Sequence, residues 1–124
     1  MKQVLVIEDN ENNMELISFM LKNSGYTVLQ AFRGEDGLAL AKSNKPDLIL
    51  LDIQLPDIDG TVILAELRQE PGTMSIPVIA VTSYAMTGDS KKLLNAGCDG
   101  YIEKPIDPDL FIDQINSVLV EGLA

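Results

Sequence analysis

The sequence contains no histidine. That removes the commonest general acid–base group, the commonest metal ligand and any phosphohistidine chemistry of its own. A single cysteine, Cys98, excludes an intrachain disulfide framework and a multi-cysteine metal cluster. With no basic neighbour in sequence, it reads as a reduced core or loop thiol rather than a redox sensor. Cations are scarce: 9 Lys and Arg stand against 19 Asp and Glu, for a formal charge of −10. Such a chain is repelled by phosphate backbones and anionic lipid, which argues against nucleic acid and membrane surfaces as partners. No apolar run is long enough to cross a bilayer, and the N-terminus lacks the basic, apolar and small-residue order of a signal peptide. A cytoplasmic protein is expected. Linkers, internal repeats and low-complexity tracts are also missing. What remains is 124 residues, 46% of them hydrophobic, which suffices for one domain over residues 1–124 with its own core.

The pattern along the chain is alternation. Val4-Leu5-Val6-Ile7, Leu48-Ile49-Leu50-Leu51 and Val78-Ile79-Ala80-Val81 are short continuous apolar runs, suited to strands buried on both faces. Tyr26–Ala31 and Gly100–Ile102 are weaker strand candidates and read as sheet edges. Helical stretches lie between and after them. Asn12–Ser24 stops at Gly25, Gly34–Ser43 before Pro46, Gly60–Gln69 before Pro71, and Met86–Ala96 at Gly97. Pro108–Glu121 opens on a proline, where a missing N–H costs nothing. Five strand–helix alternations predict an α/β fold, a doubly wound five-stranded parallel sheet with helices on both faces.

Ligands of such a sheet sit beyond the carboxyl ends of its strands. The first strand ends in Glu8 and Asp9, the third in Asp52, the fourth in Thr82 and Ser83, and the fifth just before Lys104 and Pro105. Parallel strands bring these groups to one edge. Individually each has a bland reading: Asp9, Thr82 or Ser83 as a helix cap, Asp52 as a turn residue, Lys104 as a solvated cation. Four of five strand ends carrying the same kind of group point to a site. Three crowded carboxylates need a counter-charge at pH 7. Lys104 supplies one, and a hard divalent cation would supply more; an all-oxygen donor set suits Mg²⁺ better than Zn²⁺. A carboxylate beside such a cation, a lysine and a hydroxyl has the parts for phosphoryl transfer, with Asp52 as nucleophile and Lys104 and Thr82 holding phosphoryl oxygens.

At these residues the chain resembles the receiver domain of bacterial two-component response regulators. The likeness rests on Glu8-Asp9, on Asp52 within Leu51-Asp52-Ile53-Gln54-Leu55-Pro56, on Gly60, Thr82, Ala85 and Gly97, and on Lys104-Pro105. It implies a flavodoxin-like fold with strand order 2-1-3-4-5 and five helices. It implies Asp52 as phosphoacceptor, Mg²⁺ held by Asp9, Asp52 and the Gln54 carbonyl, and Glu8 holding it through water. Glu8 stands where Asp is more frequent. Thr82 takes the switch-hydroxyl position, Tyr101 the aromatic switch position, and Lys104-Pro105 is expected to be cis. Gln54 and Tyr84 flank the phosphoryl position and tune its lifetime. The stretch from Val6 to Met14 is similar to stand-alone cell-division regulators (DivK-like) and to receivers of hybrid kinases.

The resemblance implies partners as well: a histidine kinase or histidine phosphotransferase as donor, a downstream protein target, and a dimer in the phosphorylated state. Because the last helix runs out at Leu123-Ala124, a complete single-domain regulator is expected, the other readings being a phosphate sink or shuttle and a receiver cut from a hybrid kinase. The apolar residues of the first helix span an arc of roughly 220°, against roughly 120° for the last helix, so Leu16 and Phe19 are expected on the surface. Two rivals lack their key residues. An aspartate-nucleophile hydrolase needs a second Asp where Gln54 stands. A flavin carrier needs a hydroxyl- or glycine-rich phosphate loop where the chain has Glu8-Asp9-Asn10-Glu11.

Overall fold

The computed structural model describes residues 2–83 and 96–123. Five strands, β1 (Gln3–Ile7), β2 (Thr27–Ala31), β3 (Leu48–Asp52), β4 (Val78–Thr82) and β5 (Gly100–Glu103), form one parallel sheet in the order β2-β1-β3-β4-β5. Four helices stand among the described residues: α1 (Glu11–Asn23), α2 (Gly34–Asn44), α3 (Gly60–Gln69) and α4 (Pro108–Leu123). The expected helix over Met86–Ala96 lies outside them as far as residue 95, as do Tyr84 and Ala85. The expected strands are all present, and the helix ends differ by one or two residues.

The continuous apolar runs are explained by a core on each face. Leu5, Ile7, Ile49, Leu51, Val78 and Ala80 pack with Leu38 and Ala41 of α2 and with Ile63, Leu64 and Leu67 of α3. The alternate residues Val4, Val6, Leu48, Leu50, Ile79 and Ile102 pack with Met14, Ile17 and Leu21 of α1 and with Phe111, Ile115 and Leu119 of α4. Successive strand side chains point to opposite faces, so a strand covered on both sides must be apolar at every position. The edge strand β2 keeps only Ala31 fully buried, in line with its weaker signal.

Local chemistry fixes the helix ends that frame the site. Asn10 caps α1: its side-chain oxygen accepts from the backbone N–H of Asn13 at 2.9 Å. The helix closes at Gly25, whose φ of +93° is left-handed, with its N–H donating to the Lys22 carbonyl. Arg33 at the start of α2 makes no side-chain cap. Asp57, from the loop after β3, does so from a distance, accepting from the N–H of Gly34 at 2.8 Å and of Glu35 at 3.1 Å. The same loop folds tightly against the start of α3. A Cβ on Gly60 would sit 2.6 Å from the Cα of Ile53 and 3.0 Å from the Asp52 carbonyl oxygen. Both are backbone atoms that cannot swing away. Gly60→Ala is therefore expected to cost about 2 kcal/mol of stability, in the range of overpacked cores. A denaturation midpoint equal to wild type would contradict this close approach.

Candidate functional site

Strand register assembles the acidic edge. Ile7 pairs with Leu51, so Glu8, one residue on, comes level with Asp52. Asp52 pairs with Val81, and Thr82 follows. Thr82 pairs with Glu103, and the next residue, Lys104, donates its N–H to the Thr82 carbonyl at 2.9 Å. The Lys104-Pro105 peptide bond is cis. Glu8, Asp52 and Thr82 are all buried, at 1%, 2% and 1% exposure, whereas Asp9 is exposed. The cap reading of Asp9 fails, because Asn10 takes that role and leaves Asp9 to the site.

Lys104 is not solvated. Its Nζ lies 3.2 Å from Asp52 Oδ2 and 3.4 Å from Glu8 Oε1. Asp52 Oδ1 accepts from the backbone N–H of Gln54 at 3.0 Å. Glu8 Oε1 also accepts from the side-chain amide of Asn13 at 2.8 Å. Glu8 Oε2 is buried and has no hydrogen-bond partner, alone in this among the described residues. An orphaned carboxylate oxygen in a low-dielectric site needs a proton or a cation.

The two buried carboxyls divide their charge unequally. Burial, then proximity to Asp52, pushes Glu8 up to about 7. Burial would also raise Asp52, but the adjoining Glu8 carboxyl, the Gln54 N–H and Lys104 together hold it below the ordinary carboxylate value. The opposite directions favour Asp52 as the anion of the pair, the form a nucleophile requires. Glu8, Asp9 and Asp52 each present a carboxylate oxygen, all within 4.8 Å of one another. Three oxygen donors without nitrogen or sulfur, plus the orphaned Glu8 oxygen, fit a hard divalent cation.

The structure thus brings together Glu8, Asp9, Asp52 and Lys104, with the Gln54 backbone and Thr82 at the same edge. Tyr101 on β5 is 41% exposed and lines a cleft of about 380 Å³ with Leu110, Gln114 and Val118 of α4. A second cleft, about 370 Å³, borders the site between Asn13 and Leu16 of α1 and Ser83, Lys104, Pro105 and Ile106. Leu16 and Phe19 are exposed, at 36% and 68%, as the wide apolar arc of α1 requires. Sequence reasoning missed Asn13. The signal was there: a cap at Asn10 starts the helix so that the residue three on sits in the first turn, beside the strand end.

Cys98 is buried, and burial pushes its thiol up to about 11, so it is an inert core group. No helix among the described residues is long and apolar enough to cross a membrane.

Comparison with known proteins agrees with this arrangement. Residues 4–116 match the response regulator receiver domain family. The polar-differentiation response regulator DivK of Brucella anthropi is 43% identical over 118 residues, covering 95% of this chain and 96% of that protein. Among solved structures, a CheY-like response regulator receiver domain protein from Methanospirillum hungatei superposes with a TM-score of 0.89 at 32% identity, over 99% of this chain and 97% of that one. The receiver domain of a sensor histidine kinase from Pseudomonas aeruginosa superposes with a TM-score of 0.88 at 30% identity, over 96% and 98% of the two chains. That structure holds a magnesium ion in its active-site cleft. Receivers of this family are phosphoacceptors in two-component signalling, taking phosphoryl groups from histidine kinases and acting on downstream targets. On its sequence, its fold and its acidic strand edge, this chain belongs to the response regulator receiver domain family.

Proposed function

We propose that the chain works as one receiver domain over residues 1–124, a cytoplasmic single-domain response regulator of the DivK kind that accepts a phosphoryl group on Asp52 and changes partner in response. The observation that carries this is the geometry of the buried edge: Asp52 lies between the Gln54 N–H at 3.0 Å and Lys104 Nζ at 3.2 Å, with carboxylate oxygens of Glu8 and Asp9 within 4.8 Å.

Asp52 attacks the phosphorus of a phosphohistidine on a kinase or histidine phosphotransferase. A P–O bond to the carboxylate forms as the P–N bond breaks, and the donor imidazole leaves with the electron pair. Lys104 Nζ, already 3.2 Å from Asp52 Oδ2, is placed to neutralise charge on a phosphoryl oxygen. The Thr82 hydroxyl, at the adjacent strand end, holds another. Glu8, Asp9, Asp52 and the Gln54 carbonyl would hold Mg²⁺, which supplies positive charge against the transferring phosphoryl oxygens. Support for Mg²⁺ comes from the all-oxygen donor set, the orphaned Glu8 oxygen and the ion in the Pseudomonas aeruginosa receiver. The chain serves as acceptor and accelerates only its own phosphorylation and dephosphorylation.

Donor docking is assigned to the exposed Leu16–Phe19 face of α1, which continues into the cleft at Lys104 and Ile106. Output is assigned to the β5–α4 side, where Thr82 closing on the phosphoryl group draws Tyr101 inward; a phosphorylated dimer would form there. The switch works if both arrangements lie within a few kcal/mol.

Incubation with Mg²⁺ and acetyl phosphate is expected to add one phosphate to the intact mass. The gain should vanish with EDTA and in Asp52→Asn. A gain that survives Asp52→Asn, or no gain in folded protein, would overturn the reading.

A further inference from the structure

We propose that Asn13 is a positioning residue for Glu8, and that the two act as a pair in holding the cation of the acidic edge. The inference rests on the metal reading given above and deepens it.

Glu8 reaches one methylene further from the backbone than an aspartate would. That length gives it an extra rotatable bond, and an acid ligand must be held in one rotamer to bind well. Lys104 reaches Oε1 at 3.4 Å, but on a flexible stem it shares with Asp52. Asn13 supplies the shorter contact, 2.8 Å to the same oxygen, from the rigid first turn of α1. Asn13 is itself fixed: its backbone N–H donates to the Asn10 cap at 2.9 Å. Both contacts therefore fall on Oε1, and Oε2 stays buried and unpartnered, available to a cation. The amide is also neutral, so it orients Glu8 without cancelling the negative charge the cation needs.

The pairing makes a prediction about length. An aspartate at position 8 ends about 1.5 Å short of Glu8, too far for a hydrogen bond to Asn13. Asn13 should then matter only when position 8 is glutamate.

The test is a double-mutant cycle read by calorimetric titration of the full chain with Mg²⁺. Wild type, Asn13→Ala, Glu8→Asp and the double variant are compared. Asn13→Ala keeps the helix cap, because the cap uses the backbone N–H of residue 13; a melting temperature within about 2 °C of wild type checks this. In the wild-type background Asn13→Ala is expected to weaken Mg²⁺ binding roughly tenfold, the low end for loss of a group that orients a metal ligand. In the Glu8→Asp background the same change is expected to alter affinity less than about twofold. Unchanged affinity in Asn13→Ala overturns the proposal, as does an equal loss in both backgrounds, which would place the effect in α1 rather than in Glu8. Wild-type protein that takes up no Mg²⁺ overturns the metal reading and this proposal together.

Discussion

Metal-free protein is expected to be about 2 kcal/mol more stable at pH 5.5 than at pH 8, the reverse of an ordinary acidic surface group. The cause is Glu8. Its carboxyl is raised from the ordinary 4.5 to about 7 by burial and by Asp52. Between those values the folded chain binds a proton that the unfolded chain does not, so stability falls as pH rises through the window and levels off above about 7. Each pH unit of the window is worth about 1.4 kcal/mol, and the comparison spans roughly one and a half of them. Asp52 acts in the opposite sense but elsewhere. Its lowered value contributes stability above the ordinary carboxylate range, lost only as pH falls through the folded value, on the acid side of the comparison. Cys98, raised to about 11, lies on the alkaline side. Urea denaturation in EDTA at the two pH values measures the difference, and Glu8→Gln should flatten it. Equal stability, or greater stability at pH 8, would contradict the protonated Glu8. Saturating Mg²⁺ should stabilise more at pH 8, where no proton competes for the Glu8 oxygen.

Replacing Arg68 with alanine should cost about 3 kcal/mol, and roughly 10 °C in melting temperature for a chain of this size. Arg68 lies at the end of α3, yet its guanidinium ties two separate segments, residues 74–76 and 97–99, to that helix. Nε and Nη2 donate to the Gly97 carbonyl at 3.0 and 2.7 Å, and Nη1 donates to the carbonyls of Met74 and Ile76 at 3.1 and 2.8 Å. Nη2 also pairs with Asp99 Oδ2 at 3.0 Å, and that oxygen accepts from the Val78 N–H at 2.9 Å. Alanine would remove the Arg68 donors from the Ile76 and Gly97 carbonyls and free the approach to β4, which ends in Thr82, and β5, which ends just before Lys104. Lysine should recover only part of the loss, because one ammonium cannot span the fork. A loss below about 0.5 kcal/mol, the size of a neutral surface change, would contradict the staple.

The contrast between these two sites shows what a sequence makes legible. Strands β1, β3 and β4 are apolar at every position because both faces are covered, and that pattern reads directly as a buried parallel sheet. Once the sheet is parallel, the residue after each strand must fall on one edge, so Glu8, Asp52 and Lys104 could be placed together from spacing alone. The wide apolar arc of α1 likewise gave away the exposed Leu16 and Phe19. The contacts that escaped are those whose geometry depends on how loops fold. Asp57 caps α2 from 23 residues away, Arg68 reaches Gly97 across 29, and neither pairing has a periodicity to betray it. Asn13 was closer to hand, but its aim at Glu8 follows only after Asn10, not Asp9, is known to cap the helix. Burial was illegible for the same reason: three carboxylates in a sequence carry equal weight, and only the fold buries Glu8 and Asp52 while leaving Asp9 exposed.

The central claim is that Asp52 is the carboxylate that carries the phosphoryl group. The most direct measurement is borohydride trapping after phosphorylation with acetyl phosphate and Mg²⁺, followed by peptide sequencing in the mass spectrometer. Reduction converts an aspartyl phosphate to homoserine and leaves a free carboxylate untouched. The account predicts homoserine in place of Asp52, within Leu51-Asp52-Ile53, and unreduced Glu8 and Asp9 in the same sample. Conversion at Glu8 or Asp9 with Asp52 intact would contradict it.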